Sequence, residues 1–164
     1  MSTTPGFAVI DLETTGFSAS DRIIEIGLVL LDSSLAVEST WDTLVQPNRD
    51  IPNSFVHGIT ATDVVKAPAF GEVAPQLAGL LTGRIPVAHN ASFERRFLTM
   101  EFRRAGVDTN VDSVGWTDTQ ALSKRILGCA KLEQALAVVG IENARPHAAL
   151  ADALATAELL GVLA

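Results

Sequence analysis

Acidic side chains near opposite ends of this chain stand at spacings that suit metal binding. In VIDLETTGF, Asp11 and Glu13 lie two residues apart where an apolar run ends. On a β-strand, residues two apart point to the same face. Like charges side by side repel, and a bound cation removes that cost. Thr14, Thr15 and Gly16 then turn the chain, and Gly16 permits close backbone approach by a ligand. Acids at a strand end can also simply face water; the apolar run and the TTG turn weigh against that here. In PHAALADA, His147 and Asp152 are five residues apart. On a regular helix that separates them by about 140°, so they cannot share a face in mid-helix. His147 follows Pro146, which puts it at the helix entrance or just before it, free to swing. Asp152 stands among alanines and leucines, aimed at solvent or at a cation. His147 taken alone reads as a cap or a surface histidine.

A further acid, Glu94, sits in AHNASFERRFL, one helical turn past Asn90, which is placed to cap the helix. Helix N-termini favour negative charge, so Glu94 alone reads as a surface carboxylate. Pairing with Arg95 or Arg96 is poorly oriented, because residues one or two apart on a helix diverge. Those arginines are expected to reach solvent or phosphate, and Arg103 and Arg104 to face solvent.

Elements that could bring these groups together can be read from pattern. Residues 7–12 (FAVIDL), 22–32 and 38–47 read as three β-rich runs with short connections, which suits an antiparallel meander closed by Pro47. Residues 48–69 are loop-rich, with a short helix expected near 60–66. FGEVAPQLAGLLTG reads as a helix ended by Gly83, with Pro75 in its first turns, and 85–90 as a short strand. A strong amphipathic helix follows to Gly106, with Phe93, Phe97, Leu98 and Met100 on its apolar side. A weak strand near 113–118 precedes helices over 119–127, over LEQALAVVG and over 147–163. Strands followed by alternating strand and helix predict an α/β fold: a mixed sheet with helices packed on it.

The totals set bounds. A chain of 164 residues with 48% hydrophobic content can build one domain around a single core. The start shows no basic, then apolar, leader pattern, and the apolar C-terminal run is broken by Asp152 and Glu158, so no membrane segment is expected. Cys129 is the only cysteine, which rules out an intramolecular disulfide and fits a cytoplasmic protein. The net charge of -7 disfavours broad electrostatic attraction to nucleic acid, while leaving room for acids that hold metal ions.

Three stretches occur in order: V-I-D-L-E-T-T-G (9–16), A-H-N-A-S-F-E (88–94) and H-A-A-L-A-D-A (147–153). Together they resemble the motifs of the DEDDh 3′–5′ exonucleases, the ribonuclease H-like group that includes the epsilon subunit of bacterial DNA polymerase III and ribonuclease T. VQPNRDIPNSFVHGIT and TDTQALSKRIL add support, and the resemblance covers essentially the whole chain as one exonuclease domain, 1–164. It implies a five-stranded mixed sheet, three antiparallel strands then parallel ones, flanked by helices. One position departs: the acid after the Asn-x-x-Phe element is ordinarily aspartate, and here it is Glu94, one methylene longer.

The resemblance also implies a chemistry. Two divalent cations, Mg²⁺ or Mn²⁺, about 3.5–4 Å apart, stabilise the attacking and leaving oxygens of a phosphodiester. Asp11 would bridge both ions, Glu13 and Asp152 would complete the first site, Glu94 would support the second, and His147 would act as general base. Thr14, Gly16, Phe17, Asn90 and Phe93 are expected to border the 3′-terminal nucleotide of a single strand, with Phe17 stacking or wedging against its base. His89 is expected to orient the strand–helix junction; His57 is given no chemistry. Both phenylalanines can equally be read as core. A polymerase or repair partner is open, and oligomeric state is not legible. The competing expectations are a binding or scaffolding module weakened by Glu94, and a ribonuclease H-like endonuclease.

Overall fold

In the computed structural model, which describes residues 4–164, the centre of the molecule is β1 (Phe7–Thr14). Its side chains alternate between two buried layers. Ala8, Ile10 and Leu12 face one, and Val9, Asp11 and Glu13 face the other. β1 pairs antiparallel with β2 (Ile23–Leu31), and β2 antiparallel with β3 (Val37–Leu44). On its other edge β1 pairs parallel with β4 (Ile85–Ala88), and β4 with the two-residue β5 (Thr117–Asp118). The five-stranded order is β3-β2-β1-β4-β5. This is the ribonuclease H-like arrangement expected from the three motifs.

One face of the sheet is covered by α2 (Phe70–Leu81) and α3 (Ala91–Ala105). Phe70, Leu77, Phe97, Leu98 and Phe102 pack there on Ala8, Ile10 and Leu28. The opposite face is covered by α6 (Ala149–Leu163), whose Ala153, Ala157 and Leu160 lie on Val9, Val29 and Val87. Outside α6 sit α4 (Thr119–Leu127) and α5 (Leu132–Val139), which bury Leu159 and Leu163. A helix held between a sheet and other helices needs apolar residues nearly all round, which explains the long apolar C-terminal run. No helix among the described residues is long and apolar enough to cross a membrane.

Several local expectations change. The helix expected near 60–66 is a run of turns, because the Asp63 carboxylate accepts from both the amide and hydroxyl of Thr60 and so competes with helical bonding. The helix in this region is instead the single turn α1 (Ser54–His57), closed by Gly58 at φ 75°. The third strand stops at Leu44, β4 at Ala88, and β5 is far shorter than 113–118. On α3, Phe102 joins Phe97 and Leu98 in the core, while Met100 is only half-buried.

Parallel strands β1, β4 and β5 end at the same rim of the sheet, and α3 and α4 start there. Ligands in open α/β sheets bind outside these carboxyl ends.

Candidate active site

Asp11 and Glu13 lie at that rim, both on the α6 face of β1. In the β1–β2 register Asp11 stands opposite Gly27 and Glu13 opposite Glu25, and the register shifts immediately after Glu13. The chain then turns, held by a Thr15 amide bond to the Arg22 carbonyl at 2.9 Å. His147 precedes α6 and has φ 66°, a left-handed conformation that a histidine adopts only at some cost. That step takes it off the helix, so the 140° separation from Asp152 does not apply. Ligand atoms of Glu13, His147 and Asp152 all lie within 4.8 Å of one another. Asp152 is buried in the first turn of α6, and its Oδ1 accepts from Nδ2 of Asn143 at 2.6 Å.

Glu94 comes from the first turn of α3 and is only 3% exposed, not a surface acid. Its Oε2 is buried without a hydrogen-bond partner, and so is Oδ2 of Asp11. The acids burden one another. Burial raises the Asp11 carboxyl well above its ordinary range, and the charges of Glu94, Asp152 and Glu13 raise it further. Glu94 is raised by burial and then by Asp118 and Glu13, and Asp152 by burial. Glu13 is pushed up to about 8 by burial, Asp152 and Glu25. Carboxylate oxygens that lack donors and repel one another are a donor set suited to hard divalent cations.

This repulsion has a measurable consequence. An acid whose folded pKa is raised contributes stability below its unfolded value, near 4.3 for glutamate, and loses it as pH climbs to the folded value. For Glu13 the window runs from there to about 8. His57 and His89, held below their ordinary value by burial, contribute with the opposite sign. Comparison with Glu13→Gln cancels those histidines. In chelator, the wild-type Tm should fall from pH 5 to pH 8 by about 10 °C more than that of Glu13→Gln, since the three units between pH 5 and pH 8 lie inside the window set by the folded value of about 8, one pKa unit is about 1.4 kcal/mol and each kcal/mol moves Tm by about 2–4 °C. Millimolar Mg²⁺ or Mn²⁺ should restore the wild type more at pH 8 than at pH 5. Parallel pH profiles for the two proteins would contradict the acid cluster.

Comparison with known proteins decides the lineage of this arrangement. Residues 8–160 match the family described as exonuclease. The chain belongs to that family. It is 36% identical over 159 residues to a DNA polymerase III PolC-type of Thermotoga petrophila, covering 93% of this chain and 11% of that protein. It is 31% identical over 158 residues to the DNA polymerase III subunit epsilon of Pasteurella multocida, covering 88% of this chain and 62% of the relative. The chain therefore spans only part of the curated relatives it matches. Its fold is that of the nuclease domain of 3′hExo, a DEDDh family member solved with rAMP, at a TM-score of 0.80 and 20% identity, covering 96% of this chain and 90% of the other.

Around the acids, this exonuclease-family domain builds a rim in which some expected residues have other work. Thr14 is buried, and its hydroxyl donates to the Gly16 carbonyl at 2.7 Å. Gly16 has an internal reason to be glycine: a Cβ there would stand 2.5 Å from Oδ2 of Asp21. Phe17 is 77% exposed, so the core reading fails for it. It meets half-buried Phe93 edge-on at 5.9 Å, and Phe93 meets Phe97 at 4.8 Å. Arg96, expected to reach solvent or phosphate, is exposed, stacks on Phe97 and donates to the Phe17 carbonyl at 3.0 Å. Arg95 bonds the Asp112 carbonyl, Arg103 pairs with Asp112, and Arg104 pairs with buried Glu101. Asn90 occupies the N-cap position of α3 but caps nothing with its side chain. It has φ 83°, and its amide donates to Oδ1 of Asp118, which ties β4 to β5. His89 does orient the junction, bonding Thr119 at 2.9 Å and the Ala130 carbonyl at 2.6 Å.

Four contributors were not singled out from sequence: Asn143, Glu25, Asn53 and His57. Asn53 Nδ2 donates to the Thr14 carbonyl at 3.0 Å, and its Oδ1 meets His57 Nε2 at 3.2 Å. The Ile59 amide donates to His57 Nδ1, which fixes the neutral ring with its proton on Nε2. His57 thus braces the end of β1 from across the rim. The PNSFVHGIT stretch was a usable signal; Asn143 and Glu25 had none.

Proposed function

We propose that this chain is a divalent-metal-dependent 3′–5′ exonuclease that releases nucleoside 5′-monophosphates from single strands. The reading is supported by Glu13, Asp152 and the exposed His147, whose ligand atoms lie within 4.8 Å of one another, by the charges of Glu94, Asp152 and Glu13 that raise the Asp11 carboxyl, and by buried oxygens of Asp11 and Glu94 that lack donors. Asp11, Glu13, Glu94 and Asp152 would hold two cations, Mg²⁺ or Mn²⁺, which when bound stabilise charge on the attacking and leaving oxygens. His147 stands within reach of Glu13 and Asp152 and is open to solvent. It would take the proton of the attacking water as the new P–O bond forms and the P–O3′ bond breaks, and the departing 3′ oxygen would regain a proton from solvent, leaving a 3′-hydroxyl on the shortened strand. Phe17 offers an exposed ring for the terminal base at the turn that follows Glu13. Asn90 and Phe93 flank the same rim. The single-strand preference is supported by the net charge of -7, since a long duplex would want a wide basic face. Matches to polymerase III chains support a polymerase or repair partner.

The test is digestion of 5′-labelled single- and double-stranded DNA and RNA with Mg²⁺, Mn²⁺ or chelator. Single strands should shorten from the 3′ end one residue at a time, and chelator should stop the reaction. Strands bound but left intact would favour a binding module, and internal cuts an endonuclease.

Glu94 bears on the same site. Its longer side chain holds the place where the family ordinarily has aspartate, so Glu94→Asp should keep kcat within about threefold or raise it. Glu94→Ala should lower kcat by about 10²-fold, the order seen when one preorganised stabiliser is lost. A collapse of Glu94→Asp to the level of the alanine variant would mean that the site has adapted to the longer acid.

A further inference from the structure

The first turn of α6 lacks a cap of its own. Ala148 holds the N-cap position and offers only a methyl group, and no side-chain cap bond forms there. Open amides at a buried helix start need an acceptor. The Ala149 amide finds one in Oε1 of Glu25, at 2.6 Å and 124 positions away on β2. Gly27 lies under the same turn. A Cβ on it would stand 2.3 Å from the Ala149 carbonyl carbon and 2.4 Å from the Leu150 amide nitrogen. The backbone of α6 therefore rests directly on the strand and is tied there by a carboxylate.

The place of this contact is what matters. Gly27 is paired with Asp11 and Glu25 with Glu13, so the seat of α6 is built on the residues opposite the acids of β1. Ala149 lies between His147 and Asp152 in the chain. We infer that Glu25 is a positioning residue: with Gly27 it sets the depth and rotation at which α6 presents Asp152 and His147 to Asp11 and Glu13. This rests on the exonuclease reading above. The rival role for Glu25 is a further negative charge for the cations, since it neighbours Glu13 and Asp152.

Two substitutions separate the roles. Glu25→Gln keeps an acceptor oxygen at the same reach and removes the charge. Glu25→Asp keeps the charge and retracts the acceptor by about 1.5 Å, one carbon–carbon bond. Positioning requires that Glu25→Gln stay within about threefold of wild-type kcat. It also requires that Glu25→Asp lose about 10–100-fold in kcat, with KM for a single-stranded oligonucleotide little changed. The Ala149 amide should exchange about tenfold faster in Glu25→Asp and not in Glu25→Gln, a readout independent of turnover. Glu25→Gln impaired as much as Glu25→Asp, or Glu25→Asp behaving as wild type, would overturn the inference. A wild-type protein inert on every strand would instead overturn the exonuclease reading, and amide exchange would still decide whether Glu25 seats α6.

Discussion

Asp11→Ala is expected to lower mononucleotide release by on the order of 10³-fold or more, beyond the loss of a single preorganised stabiliser, while the fold persists. Asp11 is the acid that meets the most charge: Glu94, Asp152, Glu13 and Glu25 all act on it. On the proposed reading it would be the acid shared by the two cations, and its loss would weaken both of their sites. Its Oδ2 has no hydrogen-bond partner, so removing the carboxyl breaks no internal bond at that atom. Removal also relieves repulsion. In chelator, Asp11→Asn should melt at or above the wild-type temperature, and the rise in Tm produced by Mn²⁺ in the wild type should largely vanish. Undiminished turnover in Asp11→Ala would remove the proposed site. A variant that is inactive because it is unfolded would show in the same melting experiment.

His147→Ala is expected to lower kcat by about 10²–10⁴-fold, the range for loss of a positioned general base. The rise in Tm with Mn²⁺ should survive, because the four carboxylates remain. This contrast is needed because the ring lies within ligand distance of Glu13 and Asp152 and could itself hold an ion. If His147 were a ligand, kcat and the metal-induced rise would fall together. The positive φ adds a second point. His147 occupies a left-handed turn that alanine tolerates no better, so the substitution exchanges the ring without relieving the backbone.

The two predictions draw on different kinds of legibility. Asp11 and Glu13 were readable because strand alternation is strict: if the run is a strand, residues two apart share a face. Asp152 and His147 were harder, because helical spacing separates them, and only a left-handed residue ahead of α6 brings them together. Glu94 was misleading by itself. An acid in a first helical turn is ordinary, and only the way α3 meets the sheet shows that this one is buried. The arginines of α3 are exposed, as expected, but the carbonyls that Arg96 and Arg95 bond, those of Phe17 and Asp112, come from loops that pattern cannot place.

Local chemistry, then, was written in the chain itself: which runs are strands and helices, which acids end a strand, which order of motifs marks the family. Periodicity and residue type are properties of neighbours in sequence, and they survive without any tertiary contact. What the tertiary structure alone decided is how deep and at what angle the pieces meet. Glu25 and Gly27 look like one more pair of strand residues until a helix 124 positions away is set down on them. That pairing depends on a packing distance between backbones, and no spacing along the chain encodes it.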